Sequence, residues 1–221
     1  PSLFEPYWYG DEGIYLTLGQ AITKGDILYR QIHDNKPPTL YYLAAISQTV
    51  FGFRLLLALF MVPTIYFFYR LCLYFFTSKT ARISLLFFVI LTSLPTLEGN
   101  IANAEIFMLL PTILAFYFFT RAKKNIDYLC LGFLLGLAFT IKIPVFIEAG
   151  FLILWISLQK LSRHRRLSSL LPGFFIGLGF LIPIFIYFLY FYSLGALKPF
   201  LSSAILQNFS YLSSWTTGNQ S

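Results

Sequence analysis

The composition of this 221-residue chain is that of a membrane protein. Apolar residues make up 57% of the chain and charged residues only 11%, against about 25% charged residues in an average soluble domain. A water-soluble monomer of this size cannot hide that much apolar surface, because folding buries only roughly 70% of what the chain can expose. An ordinary soluble enzyme, a disordered tail and a nucleic-acid module are excluded, and the lipid bilayer is the expected partner. The net charge of +7 is typical of basic cytoplasmic loops.

The N-terminal segment, residues 1–38, has almost no long apolar run and interleaves acidic, aromatic and basic residues. Within it, apolar residues recur on one side of a helix, at Ile14, Leu18, Ala21 and Ile22. This spacing predicts a helix that lies in the membrane interface. Asp11 stands where a helix N-cap is expected, and Gly25-Asp26 predicts the end of the helix.

Residues 39–192 are expected to form a transmembrane helical domain, since an apolar run of about 20 residues spans a bilayer. Residues 39–51 are too few to span and are interrupted by Gly52-Phe53-Arg54, so we expect them to lie in the interface or to re-enter. Six spans are predicted, within residues 55–76, 81–97, 104–120, 126–159 (two helices, divided at Lys142-Ile143-Pro144) and 168–192. The predicted fold is therefore an all-α polytopic membrane protein, with residues 193–221 as an outer loop or the start of a further region.

The basic residues predict the orientation in the membrane. Three clusters are separated from one another by two predicted spans each: Lys79 and Arg82; Arg121, Lys123 and Lys124; Lys160, Arg163, Arg165 and Arg166. They fall on one face, which the positive-inside rule makes cytoplasmic. Residues 1–38, the 98–105 loop and the Lys142 turn then meet at the outer face. The simplest location is a plasma membrane with an outward-facing site.

Several motifs resemble those of a known enzyme family. Asp11-Glu12 followed by Tyr15, then Gly25-Asp26 and Asp34-Asn35-Lys36-Pro37-Pro38, resembles the first outer loop of GT-C membrane glycosyltransferases. The similarity is greatest to the protein O-mannosyltransferase and aminoarabinose-transferase types. It continues at Gly52-Phe53-Arg54-Leu55, Asn103-Ala104-Glu105, Gly136-Leu137-Ala138 and Lys142-Ile143-Pro144. Members of that family are longer and carry a span before this loop, so the chain is expected to be a fragment.

The resemblance implies a specific chemistry. Such enzymes move a sugar from a polyprenyl-phosphate carrier to a lipid, glycan or protein acceptor at the outer face. They generally act by a single, inverting displacement. The first-loop Asp, which matches Asp11, is the general base, and cationic side chains hold the phosphate leaving group. No cofactor is expected, and no residues have the spacing of metal ligands.

The residue types agree with this chemistry. Asp11 and Glu12 are the candidate catalytic residues, and adjacent carboxylates point in different directions. That favours one base and one supporting carboxylate over the facing pair of a retaining enzyme. Lys36, which Pro37-Pro38 makes rigid, would stabilise the departing phosphate, with help from His33 and Arg30. Because Ile14 stands where some relatives are basic, Lys142 is a further candidate for binding the phosphate. The candidate substrate-binding residues are Tyr15, His33, Asp34, Lys36, Glu105 and Lys142.

Simpler interpretations of these residues stay open at this point. Asp11 can be a helix N-cap, and Glu12 a first-turn acid that suits the helix dipole. Lys36 can be a solvated lysine, His33 a polar loop residue, and Lys142 a partner of Glu148. For the whole protein, the alternatives are a transporter or lipid flippase that uses Lys142 and Glu148 as an ion path, and a catalytically silent scaffold subunit. The lack of an internal repeat argues against a transporter.

Overall fold

A computed structural model describes Leu3 and residues 10–99, 101–164 and 167–208. Helices are the regular elements of this part of the chain, apart from an isolated bridge between Leu28 and Ile32. The prediction of an all-α protein is confirmed. Arg165, Arg166 and the side chain of Arg163, which belong to the third basic cluster, lie outside the described residues.

Ten α-helices make up most of the described part of the chain. In chain order they are α1 (Gly10–Thr23), α2 (Thr39–Ser47), α3 (Val50–Phe75), α4 (Ser78–Leu91), α5 (Ala104–Phe107), α6 (Leu109–Phe119), α7 (Asn125–Phe139), α8 (Val145–His164), α9 (Leu171–Ser193) and α10 (Leu197–Phe200). Single 3₁₀ turns cover Pro95–Leu97 and Leu167–Leu170, and a π-helix covers Leu201–Leu206.

The long helices are those of a membrane protein. Three of them, α3, α8 and α9, are long and apolar enough to cross a bilayer. The other three predicted spans correspond to shorter helices, of which α4 has 14 residues and α7 has 15. A 15-residue helix is roughly 23 Å long, against a hydrocarbon core of about 30 Å. The predicted division at Lys142-Ile143-Pro144 is confirmed, because α7 ends at Phe139 and α8 begins at Val145.

The region between α2 and α3 corrects one prediction. Gly52-Phe53-Arg54 does not interrupt the apolar run but lies in the first turns of α3, which begins at Val50. The Thr49 hydroxyl caps this helix by accepting from the Gly52 N–H at 3.0 Å. The Arg54 charge is tolerated inside the helix because a buried carboxylate neutralises it. As expected, α2 has only nine residues and is too short to span.

The helix predicted in the N-terminal segment is α1. Asp11 lies inside its first turn, so the interpretation of Asp11 as the N-cap is wrong. Gly25, with φ of +102°, follows the end of the helix in a conformation that L side chains rarely adopt. Because Gly19 has no side chain, α1 lies directly on α2: a Cβ there would come within 2.6 Å of the Ala45 nitrogen.

The bundle has two chemically different ends. At one end, the Lys160 ammonium lies 4.9 Å from the centre of the Tyr128 ring. This contact joins the last turns of α8 to the start of α7, which follows the basic residues Arg121, Lys123 and Lys124. At the opposite end, the Thr39 N–H donates to the Thr140 carbonyl at 3.0 Å, which joins the start of α2 to the end of α7. The candidate functional residues lie at this second end.

Candidate active site

Asp11 and Lys36 form the centre of the site. The Lys36 Nζ donates to the Asp11 Oδ2 at 2.8 Å. The Tyr15 hydroxyl, one helical turn after Asp11, donates to the same oxygen at 3.0 Å. Within the part of the chain that the structure describes, the Asp11 Oδ1 accepts no hydrogen bond. As far as the described residues go, one carboxylate oxygen is thus held in place and the other has no donor.

A second ion pair, between Lys142 and Glu105, lies close to the first. Lys142 comes from the turn between α7 and α8, and Glu105 from the first turn of α5. The interpretation of Lys142 as a partner of Glu148 is therefore wrong. We call Asp11, Lys36, Glu105 and Lys142 the charge cluster: two cations and two anions from four separate segments.

The charges of the cluster act on one another. Burial raises the pKa of Asp11, but the hydrogen bond and charge of Lys36, the Tyr15 hydroxyl and the charge of Lys142 together bring it below the usual value. The pKa of Tyr15 is raised, mainly by burial, then by Asp11, and further by Glu105 and Asp34. At neutral pH, Asp11 is therefore a carboxylate and Tyr15 a hydrogen-bond donor.

Lys36 is held at both its backbone and its ammonium group. The buried Tyr29 hydroxyl donates to the Lys36 carbonyl oxygen at 2.6 Å, and the next two residues, Pro37 and Pro38, are buried. The Lys36 Nζ lies 4.7 Å from the centre of the Tyr15 ring, within the range of a cation–π interaction. These contacts do not fit the interpretation of Lys36 as a freely solvated lysine.

Glu12 points away from the cluster, as expected for a residue adjacent to Asp11. Neither it nor its partner Arg54 has an exposed side chain. The Arg54 Nε donates to the Glu12 Oε1 at 2.9 Å and its Nη2 to the Oε2 at 2.6 Å. The Ala102 N–H also donates to the Oε1, at 3.1 Å. Glu12 therefore attaches α1 to α3 and to the segment before α5.

His33 and Asp34 lie beside the cluster and shape the loop that carries Lys36. Asp34 accepts from the Asn35 N–H and from the Tyr41 hydroxyl, both at 2.7 Å. The exposed His33 places its Nδ1 3.2 Å from the Ser203 hydroxyl. Neither side chain contacts Asp11 or Lys142, so the structure brings together four of the six predicted substrate-binding residues: Tyr15, Lys36, Glu105 and Lys142.

An apolar groove of about 320 Å³ lies between α2, α3, α6 and α7. Its lining includes Leu43, Phe60, Leu114 and Leu137. Thr39 and Ile141 also line it, and these residues follow Lys36 by three positions and precede Lys142 by one. The groove therefore begins near the charge cluster and continues into the bundle.

Sequence reasoning missed the roles of two residues. Arg54 is the only charged residue between positions 50 and 69, and a lone charge in an apolar run indicates a buried partner. That signal could have identified the Arg54 ion pair. Tyr29, with φ of +66°, supports Lys36 from a backbone conformation that nothing in the sequence predicts. Within the described residues, no group of three His, Cys, Asp or Glu side chains is arranged to hold a metal ion.

The chain matches the family model described as dolichyl-phosphate-mannose-protein mannosyltransferase over residues 35–187. No curated protein and no solved structure matches it. The match covers more than half of the chain, which therefore belongs to this family of GT-C membrane glycosyltransferases. The matched segment contains Lys36, Glu105 and Lys142, whereas Asp11, Glu12 and Tyr15 precede it.

Proposed function

We propose that this family member transfers a sugar from a polyprenyl-phosphate carrier to a hydroxyl of a lipid, glycan or protein acceptor, at the outer face of the plasma membrane. The family is named for mannose transfer from dolichyl phosphate to protein, which makes mannose and a protein the first donor sugar and acceptor to test. The observation that carries the proposal is the charge cluster, in which Asp11 pairs with Lys36 and Glu105 with Lys142. Thr39 and Ile141, which lie close in sequence to the two lysines, line an apolar groove.

Asp11 has the geometry of a general base. Lys36 and Tyr15 hold its Oδ2, and its Oδ1 faces no protein donor among the described residues, so it can accept a proton from an acceptor hydroxyl. The acceptor oxygen attacks the anomeric carbon, the bond from that carbon to the phosphate oxygen breaks, and the hydroxyl proton passes to Asp11. The Glu12 carboxylate pairs with Arg54, so its contribution is to fix the position of α1, the helix that carries Asp11. A single base supports a one-step, inverting displacement.

Lys36 and Lys142 supply the positive charge for the leaving group. A polyprenyl phosphate gains negative charge as the sugar departs, and fixed ammonium groups stabilise that charge. Both lysines are paired with carboxylates in the structure. Each ammonium group has three N–H donors, so it can bind a phosphate oxygen and keep its carboxylate partner. The groove lined by Leu43, Leu114 and Leu137 then receives the first part of the prenyl chain.

The test is sugar transfer by the complete protein in lipid vesicles, with a panel of labelled polyprenyl-phosphate sugars. Asp11→Asn keeps the size of the side chain and removes the base, so we expect turnover to fall by at least about 100-fold. Asp26→Asn is the matched control, because Asp26 lies in the same segment and its carboxylate makes no hydrogen bond or ion pair with the described residues. Consumption of no donor, or full activity of Asp11→Asn, would contradict the proposal.

A transporter or flippase has less support. That alternative depends on Lys142 and Glu148 as an intramembrane ion path, and Lys142 pairs with Glu105 instead. The family membership also favours sugar transfer. A scaffold subunit would tolerate Asp11→Asn, so the same vesicle assay separates it from an enzyme.

A further inference from the structure

Two threonines join the segments that carry the two lysines of the charge cluster. Thr39 follows Lys36 by three residues, and Thr140 precedes Lys142 by two. The Thr39 N–H donates to the Thr140 carbonyl at 3.0 Å, and the Thr39 hydroxyl donates to the Thr140 Oγ1 at 2.8 Å. These residues are 101 positions apart in sequence. Their contact therefore fixes the Lys36 segment relative to the Lys142 segment.

The directions of these hydrogen bonds follow from a count of protons. The Thr140 hydroxyl donates its one proton to the Leu137 carbonyl at 2.7 Å, so towards Thr39 it can only accept. The Thr39 hydroxyl gives its proton to Thr140 and must accept from the Tyr187 hydroxyl, which lies 2.9 Å away. The chain of bonds runs from Tyr187 in α9 through Thr39 and Thr140 to Leu137 in α7, with each hydroxyl donating once.

This network lies in apolar surroundings, which makes it sensitive to substitution. Thr140 is buried, and Phe139 and Ile184 line a small cavity beside it. A hydroxyl that loses its partner in such a place cannot turn to water instead. Each lysine also has a separate anchor: Tyr29 binds the Lys36 carbonyl, and Glu105 pairs with the Lys142 ammonium. Neither anchor links one lysine to the other, whereas the two threonines do.

We propose that Thr39 and Thr140 are positioning residues that hold Lys36 and Lys142 at the separation needed for both to bind one phosphate. The inference rests on the proposed function, because it requires that the two lysines share the phosphate of a polyprenyl-phosphate ligand. Neither threonine touches that phosphate. Their role is to keep Lys36 and Lys142 at a fixed separation, so that a phosphate bound by one lysine is also within reach of the other.

The experiment measures the Kd of a fluorescent long-chain polyprenyl phosphate for the complete protein in lipid vesicles. Thr39→Val removes the hydroxyl and keeps the branched shape, so we expect Kd to rise about 5-fold, the effect of one buried hydrogen bond. Thr39→Ser keeps the hydroxyl and should stay within about 2-fold of the parent. Thr64→Val is the matched control, because the buried Thr64 hydroxyl donates to the Phe60 carbonyl of its own helix and has no other partner in the described part of the chain.

A double-mutant cycle separates positioning from a general loss of stability. Once Lys142→Ala has removed one of the two cations, the separation of the pair no longer matters, and Thr39→Val should then leave Kd unchanged. A general loss of stability would raise Kd by the same factor in both backgrounds, and that result would overturn the inference. If Thr39→Val does not fold, Thr140→Val can take its place in the same cycle.

The outcomes also separate this inference from the proposed function. If Lys36→Ala and Lys142→Ala leave Kd unchanged, the phosphate site itself is wrong and the positioning role fails with it. If both alanine variants raise Kd but Thr39→Val does not, only the positioning role is overturned. Weaker binding by Thr39→Val, recovery in Thr39→Ser and loss of the effect beside Lys142→Ala would together support it.

Discussion

Glu12 and Arg54 form an ion pair in which neither side chain reaches solvent. The pair joins the first turn of α1 to the first turns of α3, and a backbone N–H before α5 completes it. Since Asp11 immediately precedes Glu12 in the same turn, the buried pair also determines where Asp11 lies. Stability of the fold and placement of the candidate base therefore depend on one contact.

Removal of Arg54 should destabilise the protein strongly. Arg54→Ala leaves the Glu12 carboxylate buried without its cation, and breaking a buried pair in this way costs about 3–5 kcal/mol. Denaturation of the protein in detergent micelles measures the change. Arg70→Ala is the control at the other end of α3, where Arg70 donates to the nearby Tyr66 hydroxyl. We expect that variant to lose less than about 1 kcal/mol, and equal losses would contradict the burial argument.

The pH dependence of transfer should report the Lys36–Asp11 pair. The lowered pKa of Asp11 keeps the base ionised as the pH falls, so the acidic decline in kcat/KM should lie below the usual range of an aspartate. In Lys36→Ala, burial still raises the pKa of Asp11 while two of the opposing effects are gone, so the decline should move to higher pH.

Lys36→Arg is the control for this profile, because it keeps the positive charge beside Asp11. Its acidic decline should stay close to that of the parent. A profile of Lys36→Ala that coincides with the parent's would mean that Lys36 does not tune the base. The profiles require kcat/KM for the donor in vesicles from about pH 2 to 8, because the decline of the parent is expected below the unperturbed Asp value of about 3.9.

Tyr15 should contribute through its hydroxyl and its ring separately. Tyr15→Phe removes the hydrogen bond to the Asp11 Oδ2 and keeps the ring near the Lys36 ammonium. Because hydrogen bonds to charged groups are stronger than neutral ones, we expect kcat to fall about 10-fold. Tyr15→Leu removes both contacts and should be slower still. Equal rates for the two variants would show that the ring adds nothing.

The packing of α7 on α9 should depend on a glycine. A Cβ at Gly136 would collide with the backbone of Phe180 in α9, where the Phe180 carbonyl carbon lies only 2.9 Å away. Gly136→Ala should therefore destabilise the protein by about 1–3 kcal/mol. Gly150→Ala is the matched control in α8, since a Cβ at Gly150 would lie more than 4 Å from every described atom beyond the adjacent residues and the backbone of its own helix. Replacing this glycine in a helix should be neutral or stabilise by up to about 1 kcal/mol, as thermal unfolding of both variants would show.

The predicted helices were confirmed where a single continuous stretch of sequence was enough to predict them. The apolar runs and the Lys142-Ile143-Pro144 break predicted α3, α7, α8 and α9 to within a few residues. The alternation of Ile14, Leu18 and Ala21 with polar residues predicted α1. The error at Gly52-Phe53-Arg54 had one cause: a charge ends an apolar run only if it lacks a partner, and the partner is Glu12, 42 positions away.

The sequence by itself determined the class of the protein, because composition and apolar run length decide how much surface must be kept from water. The sequence also identified all four residues of the charge cluster as candidate site residues, because each is a charged residue at the end of a predicted segment or in a turn. Which of them meet was decided by the tertiary structure: Lys142 pairs with Glu105 and not Glu148, and Asp11 faces Lys36 while its neighbour Glu12 is buried. Ion pairs and hydrogen bonds act over a few ångströms, and here one of them joins His33 to Ser203, 170 positions from each other in sequence. The order of residues along the chain does not contain those distances until the helices have packed.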